Sequence, residues 1–323
     1  MSLPTPDSRA FPAPDAELID TQSALDRWMA AAAHAPLLAV DTEAASFHRY
    51  QDRVYLLQLS TRDATAIVDP LAVSDLSDVG RMLADPDVEI VFHDADYDLR
   101  LLGREFGFGA THLFDTRIAA QLLNEPGIGL AALLEKYVGV RLDKKFQRAD
   151  WSSRPLSAGM LEYAASDTHY LPALRDILRG RLEAMGRLGW AEEEFRMLEQ
   201  LDWTREGPEE PGWLRLKGAK ALRPRQLAIL RELYEWRDAL ARRLDRAAFR
   251  IMGNEPLFVI ARFPPENPEA LATVPGIGRE IAQRRAGEIM AAVERGLAIP
   301  EAELPRLERV PRRPVDLELE ERV

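Results

Sequence analysis

The sequence predicts an α/β domain, a mixed sheet flanked by helices, followed by a second, smaller all-α domain. Three observations carry that prediction. Short apolar runs bounded by turn residues crowd the stretch before residue 95, and helical periodicity takes over after it. Residues 203–212 then pack two Gly-Pro or Pro-Gly breaks and three Glu into ten positions, the composition of an exposed connector. The 323 residues also exceed the usual span of a single core.

The first 16 residues are rich in Pro, Asp and Ala and are expected to form a mobile tail, with the α/β domain over 17–202. Within that domain Pro36 to Asp41 (PLLAVD), Val54 to Leu59 (VYLLQL) and Thr65 to Asp69 (TAIVD) read as three consecutive strands. Glu89 to Phe92 reads as a fourth, after a helical stretch near 74–84. Helical segments follow near 97–107, 115–124, 129–138 and 157–186. The connector is placed at 203–213 and the helical domain at 214–298, with Pro and Gly breaks at 253–256, 264–268 and 275–278. A Pro- and Glu-rich tail is expected over 299–323, and the chain carries no internal repeat.

No apolar run reaches the roughly 18 residues that span a bilayer, and the N-terminus lacks a basic segment followed by an apolar stretch. A cytoplasmic protein with no membrane partner is expected. The absence of cysteine excludes disulfides, thiolate zinc sites and cysteine nucleophiles, which leaves oxygen ligands, and hence a hard cation, as the main route to a metal. The net charge of −11 is uneven: residues 1–210 carry 21 Lys and Arg against 36 Asp and Glu, whereas residues 211–300 carry 16 against 10. An acidic body joined to a basic module suggests phosphate contact through the second module.

Side chains alternate along a strand, so Asp41 and Glu43 of Asp41-Thr42-Glu43 share one face at a strand end while Thr42 turns into the sheet. Tyr163 and Asp167, four apart on a helix, share a second face. His93 to Leu99 follows the fourth strand and opens a helix, where acids commonly offset the macrodipole, so several of Asp94, Asp96 and Asp98 read as caps. Each segment alone is an ordinary surface pattern.

In this order and at these separations the three segments resemble the DEDD superfamily of 3'–5' exonucleases, and the flanking sequence, over about 36–190, resembles its ribonuclease D family. LLAVDTE matches the apolar strand ending in D-x-E, and VYLLQLS the strand that follows it. His93 to Leu99 meets H-x4-D-L, which assigns the functional acid there to Asp98, and LFDTRIAAQLL resembles the next helix. DWSSRPLSAGMLEYAASD is close to the family's third motif, and Tyr163 with Glu162 before it marks the tyrosine subtype. The resemblance implies a ribonuclease H-like fold and a site of Asp41, Glu43, Asp98, Tyr163 and Asp167. It makes the four carboxylates ligands of two divalent cations, Mg²⁺ or Mn²⁺, with Asp41 bridging them and Tyr163 orienting the attacking water.

The chemistry supports the same reading independently. Phosphodiester hydrolysis needs an activated water and a stabilised leaving oxygen on an anionic phosphate, which two cations about 3.5 to 4 Å apart supply. Four carboxylates at one spot repel one another unless cations lie between them. Tyr163, with an ordinary pKa near 10, is a poor base. None of His34, His48, His93, His112 and His169 forms a pair at ligand spacing, and His93 is expected to fix its loop by a hydrogen bond. Asp115 is expected to cap a helix. Arg141, Lys144, Lys145 and Arg148, followed by Trp151, read equally as a phosphate grip with a stacking aromatic or as a solvated loop.

The second domain resembles the helicase-and-RNase-D C-terminal (HRDC) module through Leu244 to Ala247 with Phe249, Pro264 to Pro268, and Leu271 to Gly278, whose turn precedes a helix N-terminus suited to a phosphate. Together these features lead us to expect a monomeric 3'–5' exoribonuclease that releases nucleoside 5'-monophosphates, with transfer RNA precursors and other structured RNA as substrates. Two alternatives stay open: a DNA 3'–5' exonuclease, since the acidic cage says nothing of a 2'-hydroxyl, and a catalytically inactive RNA-binding protein.

Overall fold

The computed structural model describes residues 13–201 and 210–307, which fall into two compact units on either side of 202–209. The first is built on strands β1 (Ala16–Ile19), β2 (Leu37–Ala44), β3 (Val54–Ser60), β4 (Thr65–Val68), β5 (Glu89–Phe92) and β6 (Leu113–Asp115). They form one sheet in the order β1-β4-β3-β2-β5-β6. β3 runs antiparallel to both β2 and β4, and the remaining pairs are parallel, so the sheet is mixed as expected. Around it lie α1 (Gln22–Ala32), α2 (Ser77–Leu83), α3 (Ala95–Phe106), α4 (Thr116–Leu122), α5 (Leu130–Tyr137), α6 (Ala158–His169), α7 (Leu171–Ala184) and α8 (Leu188–Glu199). Helices cover both faces, and β3 is accordingly buried at every position.

Two features of the sheet position the site. β2 outruns β5: their pairing ends at Ala39 with Val91, while β3 follows β2 to Ala44. One edge of β2 is therefore free of ladder partners from Asp41 onward. Beyond β5 the chain turns sharply, with Asp94 in the left-handed region at φ 71°, a conformation Asp tolerates better than most residues, and α3 begins. The loop between α5 and α6 is tied down by Arg154. Its guanidinium binds both oxygens of Asp69 (2.5 and 2.9 Å), the carbonyl of Tyr55 on β3 (2.9 Å), and the carbonyls of Trp151 and Ser153 (2.7 and 2.9 Å).

The structure differs from the sequence expectation in places. β1, α1, β6 and α8 have no counterpart in that expectation, and β1 starts at Ala16, the last residue of the expected tail. The helix expected over 157–186 breaks at Tyr170 into α6 and α7, because Pro172 has no N–H to continue the first ladder. The expected tail and connector otherwise lie mostly outside the described residues.

The second unit contains α9 (Gly212–Arg215), α10 (Pro224–Leu244), α11 (Ala248–Ile251), α12 (Asn254–Arg262), α13 (Pro268–Ala272), α14 (Arg279–Arg284) and α15 (Ala286–Ala298). Leu227, Leu230 and Leu233 of α10 pack with Leu257 and Ile260 of α12 and with Ile289 and Val293 of α15. Gly296 lets α15 approach α10 closely, since a Cβ there would lie 2.6 Å from the Ile229 Cα. Leu304 is buried as well, so the unit extends past the expected limit of 298. Among the described residues no helix is long and apolar enough to cross a membrane.

Candidate active site

Asp41 and Glu43 project from the same face of β2, and Asp167 reaches them from α6, so that one carboxylate oxygen from each lies within 4.8 Å of the others. α6 is held across the sheet by hydroxyl contacts, Ser60 Oγ to Thr168 Oγ1 (2.8 Å) and Thr65 Oγ1 to His169 Nδ1 (3.0 Å). Tyr163, one turn before Asp167, packs against Phe146 and Trp151 with ring centroids 6.1 and 6.0 Å away. These groups line a cavity of about 440 Å³ that Thr42, His93, Lys144 and Gln147 also border.

Asp98 lies outside that group of three and outside the cavity lining, but close enough to repel Asp41, Glu43 and Asp167. Its Oδ1 accepts hydrogen bonds from the Thr42 amide (3.1 Å) and from the Thr42 hydroxyl. The amide is free to do this because β5 has ended, and the hydroxyl because Thr42 faces away from Asp41 and Glu43. Thr42 is thus a site residue whose role the sequence reading missed. The three acids of the motif separate in the structure: Asp94 and Asp96 are exposed and pair with Arg117 and Arg100, while Asp98 is 5% exposed. Asp115 does cap α4, accepting from the amides of Arg117 and Ile118 (2.8 and 3.1 Å), and it also accepts from Asp94 and Ala95 (3.2 and 2.7 Å) at the start of α3.

Burial, then mutual repulsion, push the carboxyl pKa values upward. Asp41 is raised by burial and by Asp167, Glu43 by burial and by Asp41, Asp167 and Asp98, and Asp98 by burial and Asp41, against the opposing Thr42 bonds. Asp167 is pushed up to about 7 by burial and Asp98. Burial and the same carboxylates hold the Tyr163 phenol above its usual range, so it stays protonated. A hard divalent cation fits this donor set, which is anionic and all oxygen. Gln58, the cross-strand neighbour of Asp41, is consistent with such a polar centre: among the described residues its buried amide has no hydrogen-bond partner.

Of the basic loop, Lys144 borders the cavity, Arg141 pairs with Glu135 at 2.8 Å, and Arg148 lies over the Phe47 ring. Trp151 is 1% exposed and supports Tyr163 from behind, which rules it out as a stacking surface. His93 bonds Thr116 Oγ1 through Nδ1 at 2.9 Å, as a loop-fixing residue would, and stands apart from the ligand group.

A mixed sheet whose central strand end gathers acids that, among the described residues, form no ion pair defines a metal-dependent nuclease of the ribonuclease H-like class. Residues 16–183 match the 3'-5' exonuclease family and residues 226–293 the HRDC domain. Ribonuclease D of Granulibacter bethesdensis is 35% identical over 85% of this chain and 70% of its own. The crystal structure of Escherichia coli RNase D, described as an exoribonuclease involved in structured RNA processing, superposes with a TM-score of 0.72 at 33% identity, covering 90% of this chain and 78% of that one. The catalytic core of RRP6 from Trypanosoma brucei gives a TM-score of 0.75 at 28% identity over 92% and 83%. The chain belongs to the ribonuclease D family, and it is a 3'–5' exonuclease that works with divalent metal ions.

Proposed function

We propose that this cavity removes nucleotides one at a time from the 3' end of RNA, releasing nucleoside 5'-monophosphates, and that precursors of transfer RNA are among its substrates. The observation that carries the reading is the convergence of Asp41, Glu43 and Asp167 in a cavity that Tyr163 also borders, with Asp98 close enough to repel them. Asp41, Glu43, Asp98 and Asp167 would hold the metal ions, which when bound activate a water and neutralise the attacking and leaving oxygens. Tyr163 keeps its proton and donates it in a hydrogen bond, orienting the water. Lys144 is the one cation on the cavity wall among the described residues, placed to meet a substrate phosphate.

The second unit, beyond a connector proposed at 203–213, contributes a basic surface. Arg243, Arg246 and Arg250 are exposed around the turn from α10 to α11. They hold the body of a structured RNA while its end is cut. Matched 3'-labelled RNA and DNA, incubated with Mg²⁺ or Mn²⁺, test the reading. RNA should shorten from its 3' end, and an Asp41→Asn variant should leave it intact. Faster cutting of the DNA would make this a DNA exonuclease, and tight RNA binding without cleavage an inactive binding protein.

A further inference from the structure

The hydrogen bonds around His93 fix which of its nitrogens carries a proton. Thr116 Oγ1 lies 3.1 Å from the carbonyl of Phe92, which can only accept, so the single hydroxyl proton is committed there. The same oxygen lies 2.9 Å from His93 Nδ1 and must therefore accept from it. His93 is thus the Nδ1–H tautomer, and its Nε2 offers a bare lone pair. Burial pushes the imidazole down to about 4, so the ring is neutral at physiological pH. No protein group donates to Nε2 among the described residues, and His93 borders the cavity that Asp41, Glu43, Tyr163 and Asp167 also line.

The result is a neutral acceptor in a cavity with three carboxylates, Asp41, Glu43 and Asp167, that the cations claim. Phosphate oxygens are acceptors themselves and gain nothing from it. A sugar hydroxyl is the donor that a terminal nucleotide brings into such a cavity. Resting on the exonuclease reading above, we infer that His93 reads the sugar of the 3'-terminal nucleotide, its Nε2 accepting a hydrogen bond from the ribose 2'-hydroxyl, a donor that deoxyribose lacks. A DNA end would leave the acceptor facing the cavity without its partner, and the loss is felt as discrimination.

The test uses oligoribonucleotides identical except for the last sugar, which is ribose, 2'-deoxyribose or 2'-O-methylribose. Release of that nucleotide is followed for the unaltered protein and for His93→Asn, whose amide can occupy the place of Nδ1 and keep the bond to Thr116 while removing Nε2. The unaltered protein should favour the ribose end in kcat/KM by on the order of tenfold over both other sugars, the worth of one hydrogen bond. In His93→Asn the preference should shrink to within about threefold, through a slower ribose reaction and an unchanged deoxyribose one. Equal cutting of ribose and deoxyribose ends by the unaltered protein overturns the inference without any variant. So does a variant that slows both substrates alike, which would place His93 on a group the two sugars share. A chain that cuts no RNA at all would instead remove the exonuclease reading on which the inference stands.

Discussion

Carboxylates withdrawn wholly or partly from solvent occur in two settings in the first unit. Glu125, its side chain 3% exposed, meets Lys136 Nζ and Arg181 Nη1 at 2.5 Å each, with the Tyr137 hydroxyl donating as well. Glu89 is paired with Arg175 and Arg179. At the end of β2, by contrast, Asp41, Glu43 and Asp167 gather with Asp98 close enough to repel them, and among the described residues hydrogen bonds from amides and the Thr42 hydroxyl are what oppose the repulsion. The same chain that gives two cations to a lone Glu forms, among the described residues, no ion pair with Asp41, Glu43, Asp98 or Asp167, although Lys144 borders their cavity. Such a cluster is relieved either by protons, as the raised pKa values record, or by cations that arrive from outside.

Exchanging one member of each setting should separate them most widely. Asp41→Asn or Asp98→Asn should abolish hydrolysis while leaving the metal-free melting temperature unchanged or higher, since one repelling charge has gone. Glu125→Ala should do the opposite, costing about 3 kcal/mol by stranding Lys136 and Arg181 while leaving the chemistry intact. Melting curves beside single-turnover cleavage decide it; a drop of several degrees in Asp41→Asn would make the acidic cluster structural. Tyr163→Phe keeps the ring between Phe146 and Trp151 but deletes the hydroxyl, and cleavage should slow by roughly 10² to 10⁴ with RNA affinity hardly altered. Near-normal turnover would reduce Tyr163 to packing.

Thr42→Val removes one of the two bonds that hold Asp98, and the divalent-ion concentration for half-maximal rate should rise about tenfold, with Thr42→Ser restoring it. A metal titration in which all three proteins coincide would detach Thr42 from the site. A smaller effect appears in metal-free stability. Asp167 in the fold keeps a proton up to about pH 7 that the unfolded chain releases near pH 4, so stability should fall as pH rises through that window. Asp167→Asn should flatten the decline, and metal at about 100 times its Kd should add about 2.7 kcal/mol at the upper end. Melting temperatures that instead climb between pH 5 and 7.5 without metal would contradict the repulsion. Smallest of all, replacing Arg243, Arg246 and Arg250 with Ala should leave cleavage of short RNA unchanged. The log-log salt slope of RNA binding should become shallower by about 0.7 for each phosphate that the variant no longer neutralises, and an unaltered slope would mean the basic surface is merely solvated.

The strands that carry the site were legible because β2, β3, β4 and β5 are continuous apolar runs, the signature of strands covered on both faces. β1 (AELI) has the same length as β4 and β5 but no apolar run, with Glu17 and Leu18 exposed, and β6 has only three residues, so the pairing of both is imposed by the sheet. α1 had a readable signal in the Thr21 cap and the buried Ala24, Leu25, Trp28, Met29 and Ala32 at helical spacing. In α8 the exposed Trp190 and Met197, at 58% and 64%, blur the polar face. Spacing placed Asp41 with Glu43 and Tyr163 with Asp167, and family resemblance chose Asp98 over its acidic neighbours. The partnership of Thr42 with Asp98 depends on where β5 stops, and the retreat of Trp151 behind Tyr163 on how its loop closes; neither is encoded locally.

The five hydrogen bonds of Arg154 bear on what each round of cutting costs in entropy. By joining the loop that carries Trp151 to β3 and to Asp69, this one side chain fixes the backing of Tyr163 before any substrate arrives. Ordering a loop costs on the order of 1 kcal/mol or more per residue. An enzyme that repeats its reaction nucleotide after nucleotide would meet that cost at every encounter if its wall were loose. Here it is met once, when the chain folds.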